Sequence, residues 1–145
     1  MDIFFDTSVL VAACEQAHPH YARAWPALRR VVGGEDNGFI SAHSIAEVYA
    51  ALTRLPVRPR IQPLEATRII SDDILAHFEA VPISKEDYVA ALNLVGNGGW
   101  SGAKIYDALL LQCAARCTVD RIYSFNLADF RELATPDLRE KISAP

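Results

Sequence analysis

The chain has 145 residues, 51% of them hydrophobic and 22% charged, with a formal net charge of −4, a balance that fits one globular domain, residues 1–145, with a sizeable core. The acidic charge argues against a broad electrostatic grip on nucleic acid, but not against a local basic rim around an acidic, metal-filled site. No apolar run reaches membrane-span length, Asp2 follows Met1 with no leader pattern, and Cys14, Cys113 and Cys117 form neither a disulfide framework nor a zinc set, so the expectation is a cytoplasmic protein with reduced thiols and no membrane contact.

Ile3-Phe4-Phe5 leads into Asp6. The run predicts a buried central strand over about Asp2–Asp6, and the hydroxyls of Thr7 and Ser8 suit the start of a short helix ending near Gln16. Pro19 can open the next helix, striped by Tyr21, Trp25, Leu28, Val31 and Val32, with Pro26 expected to kink or split it and Gly33-Gly34 to end it. Phe39-Ile40-Ser41 reads as a second strand, followed by a helix carrying Ile45, Val48, Tyr49 and Leu52 on one face. Pro63 opens a helix with Leu64, Ile70, Ile74 and Leu75 as its apolar positions; Phe78–Val81 is a third strand. Ser84 and Asp87 match a capping box for a helix through about Val95, and a Gly-rich loop, Gly96 to Gly102, leads to a helix over Ala103–Arg116. Ile122-Tyr123-Ser124 is a fourth strand, Asn126 can cap a short helix through Leu133, and Lys141-Ile142-Ser143 can add an edge strand. Strands alternating with helices predict an α/β fold, a three-layer α/β/α sandwich with a central parallel sheet and right-handed crossovers.

Four acids fall at element junctions: Asp6 after the first strand, Glu47 early in the third helix, Asp107 early in the helix after the Gly-rich loop, and Asp129 beyond the fourth strand, with Asn126 just before it. The apolar stripe of the third helix centres between Val48 and Tyr49, which puts Glu47 roughly 150° away from the core face. In a parallel sheet the carboxyl ends of the strands face one way, so acids far apart in the chain can converge there. Clustered carboxylates need protons or cations, and a hard divalent cation with oxygen ligands is the usual partner. Taken singly, each acid reads equally as a helix cap or a solvated charge; only their joint placement points to a site.

Four segments together resemble the PIN-domain family, specifically its VapC-type toxin ribonucleases: Phe4-Phe5-Asp6-Thr7-Ser8-Val9-Leu10, Ser44-Ile45-Ala46-Glu47-Val48-Tyr49, Ala103-Lys104-Ile105-Tyr106-Asp107-Ala108-Leu109-Leu110 and Tyr123-Ser124-Phe125-Asn126-Leu127-Ala128-Asp129-Phe130. The resemblance implies a magnesium- or manganese-dependent endoribonuclease that acts as the toxin of a toxin–antitoxin pair. It implies Asp6, Glu47 and Asp107 as the acids, Asp129 or Asn126 at a fourth position, and Ser8 as a small polar residue that orders the site. Asp6 and Asp107 would hold the metal, with Glu47 and Asp129 joining directly or through water, in a hydrolysis without covalent intermediate that leaves a 5′-phosphate and a 3′-hydroxyl. It also implies an antitoxin partner, a homodimer and an apolar groove near the acids, to which Tyr21, Trp25 and Leu28 could contribute if they are not ordinary core.

Other residues divide between a functional and a structural reading. Lys104, just before Asp107, is a candidate phosphate contact; Trp100 could stack on an unpaired base or cover the core. Arg54 and Arg58, with Arg60 and Arg68, could guide an RNA backbone or a partner, or form a solvated loop. His43 lies one helical turn from Glu47 but reads as a cap or surface residue, His18 and His20 as loop residues, and Asp36 as a turn residue. One rival is a non-catalytic RNA- or protein-binding module of the same fold. Another is a phosphotransferase or hydrolase using Asp6 as nucleophile, which Ser8 disfavours because such families place a second Asp there.

Overall fold

The computed structural model describes all residues, 1–145. Five strands, β1 (Asp2–Phe5), β2 (Asn37–Ser41), β3 (Phe78–Val81), β4 (Arg121–Tyr123) and β5 (Ile142–Ser143), form one sheet in the order β3-β2-β1-β4-β5. Every pairing is parallel; Phe4 of β1 lies between Phe39 of β2 and Ile122 of β4. The chain therefore fills one half of the sheet outward from β1, then returns to fill the other half. The crevice at such a reversal is where open parallel sheets bind ligands.

Successive side chains of a strand point to opposite faces, and β1 shows the consequence. Ile3 and Phe5 enter one core with residues of α1 (Thr7–Cys14), α2 (Tyr21–Val32), α3 (Ala42–Arg54) and α4 (Pro63–Ile69). Phe4 enters the other, with residues of α5 (Lys85–Gly98), α6 (Lys104–Arg116) and α7 (Leu127–Leu133). A strand buried on both faces has no need of polar alternation, so an unbroken apolar run forms it. The three-layer sandwich is the architecture expected from the alternating elements.

Several boundaries differ from the expectation. α2 is continuous through Pro26 rather than split. α5 runs on to Gly98 and ends where Gly99 adopts φ 71°, so half of the Gly-rich stretch is helix and its left-handed stop is a glycine. The Pro63 helix passes at Ile70 into a π-helical turn, Ile70–Leu75, and a short helix α8 (Pro136–Arg139) precedes β5. Leu64 and Leu75, expected on its apolar face, are exposed, as is Tyr49. The capping box at Ser84 and Asp87 forms as expected. The three cysteines are free thiols.

Asp36 is no simple turn residue. It is buried, and its carboxylate accepts from Arg30 Nε at 2.6 Å and from the Met1 amino group at 2.8 Å, which hold it down to about 2. A depressed carboxyl stabilises the fold fully above the unfolded value near pH 4 and loses that contribution as pH falls through the folded value. Because Arg30 is half exposed, solvent screening limits the contribution to about 1 kcal/mol. In urea titrations, Asp36→Asn should be less stable than the parent by that amount at pH 7, and the gap should close near pH 2.

A candidate metal-binding active site at the sheet reversal

Asp6 is the first residue past β1, at the N-cap position of α1, yet its side chain makes no capping hydrogen bond. It turns instead toward the β4 side of the reversal. Ser8 donates to Asp6 Oδ2 at 2.5 Å and Ser124, fully buried just beyond β4, donates to the same oxygen at 2.8 Å. Both hydroxyls are themselves held, because Ser8 Oγ accepts from the Phe125 amide and Ser124 Oγ from the Asn126 amide. The Asp6 amide bonds the Tyr123 carbonyl at 2.9 Å, so the β1 and β4 ends are fastened together around this carboxylate.

Glu47 reaches the site from α3. The apolar residues Val48 and Leu52 anchor that helix on the core, leaving Glu47 on the flank that faces the cleft, as its angular offset predicts. Thr7 donates to Ser44 Oγ at 3.0 Å and to Glu47 Oε1 at 3.4 Å. His43 Nε2 lies 3.7 Å from the same oxygen, and its ring stacks on Tyr106 with centroids 5.5 Å apart and planes 7° from parallel. Asp107 comes from the first turn of α6, and Asn126 donates to its Oδ2 at 3.1 Å.

These residues line one cleft of about 590 Å³: Asp6, Glu47 and Asp107 with Ser8 and Asn126. Their electrostatics agree with the crowding. Burial pushes Asp6 up, against the pull of the Ser8 and Ser124 hydroxyls. Burial also raises Glu47, which Asp6 reinforces and His43 opposes. Asp107 is pushed up to about 7 by burial first and then by the charges of Asp6, Asp129 and Glu47. Three carboxyls held above their ordinary range in one cleft form a site that favours protons or a cation.

The remaining candidates are placed differently. Asp129 is outside the cleft lining and pairs with Lys104 at 2.8 Å, which holds its carboxyl below the usual range. Lys104 also pairs with Glu132 at 2.5 Å, so its ammonium is spent on α7 and does not face the cleft as a free phosphate contact. Trp100 donates to Glu132 and packs its ring against Gly98, where even a Cβ would clash; it covers the second core, the structural reading of the two. Arg54 and Arg58 line clefts that adjoin the acid site, sharing Glu47 and Ala51 on one side and His18 and Pro19 on the other. Leu28 is core, and Tyr21 stacks on Trp25, neither of them lining the acid cleft.

Reasoning from sequence missed Thr7 and Ser124 as the groups that hold two of the acids, and the wall formed by His18, Pro19 and His20. His20 stacks on Phe125 with centroids 4.3 Å apart. The available signal was the pair of polar residues, Ser124 and Asn126, flanking Phe125 at a strand end.

Comparison with known proteins follows the same lines. The PIN domain family pattern matches residues 3–135. Ribonuclease VapC27 of Mycobacterium tuberculosis (strain ATCC 25618 / H37Rv) is 28% identical over 138 residues, 94% of this chain and 85% of that protein. Among solved structures, M. tuberculosis VapC20, described as a sarcin-ricin loop cleaving toxin, superimposes with a TM-score of 0.69 at 17% identity over 94% of this chain and 98% of that one. VapBC2 from Rickettsia felis, bound to a DNA fragment from its promoter, gives 0.65 at 17% identity over 99% and 98%. At these identities the two structures speak for the fold alone.

Proposed function

The chain belongs to the PIN-domain family and is of VapC type, and on that footing we propose that it is a divalent-metal-dependent endoribonuclease, the toxin of a toxin–antitoxin pair. The observation that carries this reading is the convergence of Asp6, Glu47 and Asp107, from three distant segments, in one cleft at the sheet reversal. The similarity to a protein named as a ribonuclease supports the activity, and the fold likeness to VapBC2 supports a protein antitoxin as partner. The same reading carries a homodimer and a cytoplasmic setting; no helix is long and apolar enough to cross a membrane.

The donor set fits magnesium or manganese. The side chains of Asp6, Glu47, Asp107, Thr7, Ser8 and Asn126 offer oxygen to the cleft, and such ions take one or two carboxylates while keeping waters and substrate phosphate oxygens. No three acidic, His or Cys side chains close tightly enough to cage an ion by themselves, and a site of that open kind needs no cage. Asp6 and Asp107 would hold the ion, which when bound makes water a better nucleophile and offsets charge on the phosphate. Ser8 and Ser124 fix the direction of Asp6, Asn126 fixes that of Asp107, and Thr7 fixes Glu47, whose raised carboxyl suits it to take a proton from water in the cleft.

Purified protein should cleave single-stranded RNA with magnesium or manganese, stop in chelator, and leave 5′-phosphate ends. Asp6→Ala, with folding checked by circular dichroism, should cut at least about 100-fold more slowly. Parent-like cleavage by that variant, with contaminating nuclease excluded, would sink the assignment. Metal binding without turnover in the parent would instead favour a non-catalytic module.

A further inference from the structure

α3 presents one further face beside the acids. His43, Ala46, Glu47, Ala50, Ala51 and Arg54 recur at helical spacing along it, and with Tyr106 of α6 they line a second cleft of about 590 Å³. Glu47 and Ala51 belong to both clefts, so the two are continuous. Alanines keep this groove open, where larger side chains would fill it. Its wall is the parallel His43–Tyr106 stack, and Tyr106 keeps 46% of its surface free. A cation, Arg54, stands beyond the alanines, away from the carboxylates.

The ligand that matches is a flat, weakly polar ring carrying an anionic group on each side. One anion would lie at the acid site and the next would lie toward Arg54. The cleft volume falls within the range of small-molecule sites. We propose that this cleft is a nucleotide subsite: the unpaired base next to the scissile phosphate stacks on the Tyr106–His43 pair above the alanine floor, and Arg54 holds the following phosphate. The subsite rests on the nuclease reading and narrows it. A base can enter only when it is out of a helix, so the substrate is single-stranded at the cut. It also moves the stacking role from Trp100, which is engaged with Glu132, to Tyr106.

Steady-state cleavage of a short single-stranded oligoribonucleotide tests the subsite. Stacking on an aromatic side chain is lost when it is cut back to alanine, so Tyr106→Ala should raise KM by about tenfold with a much smaller effect on kcat. Tyr106→Phe should restore the parent KM, and Tyr88→Ala, an exposed tyrosine on α5, should leave both constants as they are. Arg54→Gln should weaken RNA binding by the Asp6→Ala protein and reduce the slope of log affinity against log salt by about 0.7. Cleavage by the parent with no change of KM in a folded Tyr106→Ala would overturn the subsite and leave the nuclease reading standing. A parent that neither cuts nor binds any RNA would overturn both.

Discussion

Asp107→Asn, assayed with saturating magnesium, is expected to lower RNA cleavage by about 100-fold or more while melting at the same temperature as the parent, or higher, in chelator. Loss of function and gain of stability in one variant follow from the position of this carboxyl. Asp107 is pushed up to about 7 by burial and then by the charges of Asp6, Asp129 and Glu47, so its charge opposes folding. Its folded value lies above the unfolded one near 3.9, which means the folded state holds the proton more tightly. Metal-free parent protein should therefore lose stability as pH rises from about 4 through 7 and level off above. The Asn variant should lose the part of that slope due to Asp107, because the amide has no proton to lose, and keep only what the raised Asp6 and Glu47 contribute. A bound cation must displace the same proton, so apparent magnesium affinity should fall as pH drops below 7 in the parent. Isothermal titration and thermal melts across pH 5 to 8 measure all three effects. A variant that cuts like the parent, or melts lower in chelator, contradicts the assignment.

Phe5→Ala is expected to cost about 3–5 kcal/mol, as large aromatic-to-alanine changes in cores do. That is a large part of the whole stability of a domain of this size. Phe5 is fully buried at the end of the central strand. Its ring meets Phe78 edge-on at 5.1 Å and Tyr123 at 5.5 Å, so one truncation loosens β1 from elements on both sides of it. Phe5→Leu keeps most of the volume and should cost less than about 1.5 kcal/mol. Denaturant titration separates the two variants. Because Asp6 follows directly, the Ala variant should also lose cleavage at temperatures where it is still mostly folded, and the Leu variant should not. Equal stability of the two would show that the volume filled at this position is dispensable.

The parts of this molecule legible in its sequence are those specified by local pattern. The unbroken run Ile3-Phe4-Phe5 announced a strand covered on both faces, and the turn of α3 put Glu47 off its core face before any partner was known. Long-range pairing was not legible. Lys104 stands one turn before Asp107 and looked available to substrate, yet α6 aims it at Asp129 and Glu132, whose own spacing on α7 places both acids on one side. Asp36 looked like a turn because one of its partners, the Met1 amino group 35 positions away, meets it only once β1 and β2 are paired; the other, Arg30, is local. The left-handed stop falls at Gly99 among several nearby glycines, next to Gly98, which the Trp100 ring packs against. That choice belongs to tertiary structure.

The fastening of β1 to β4 has a temporal consequence. Asp6 leaves the ribosome well before Ser124, which holds it in place from 118 positions later. Asp107 and Asn126 also belong to the last third of the chain. A polypeptide made only through β3 carries Asp6 and Glu47 but neither Asp107 nor Ser124, half of the acidic cleft. The chemistry of that cleft is thereby withheld until the chain has been made at least as far as Asn126.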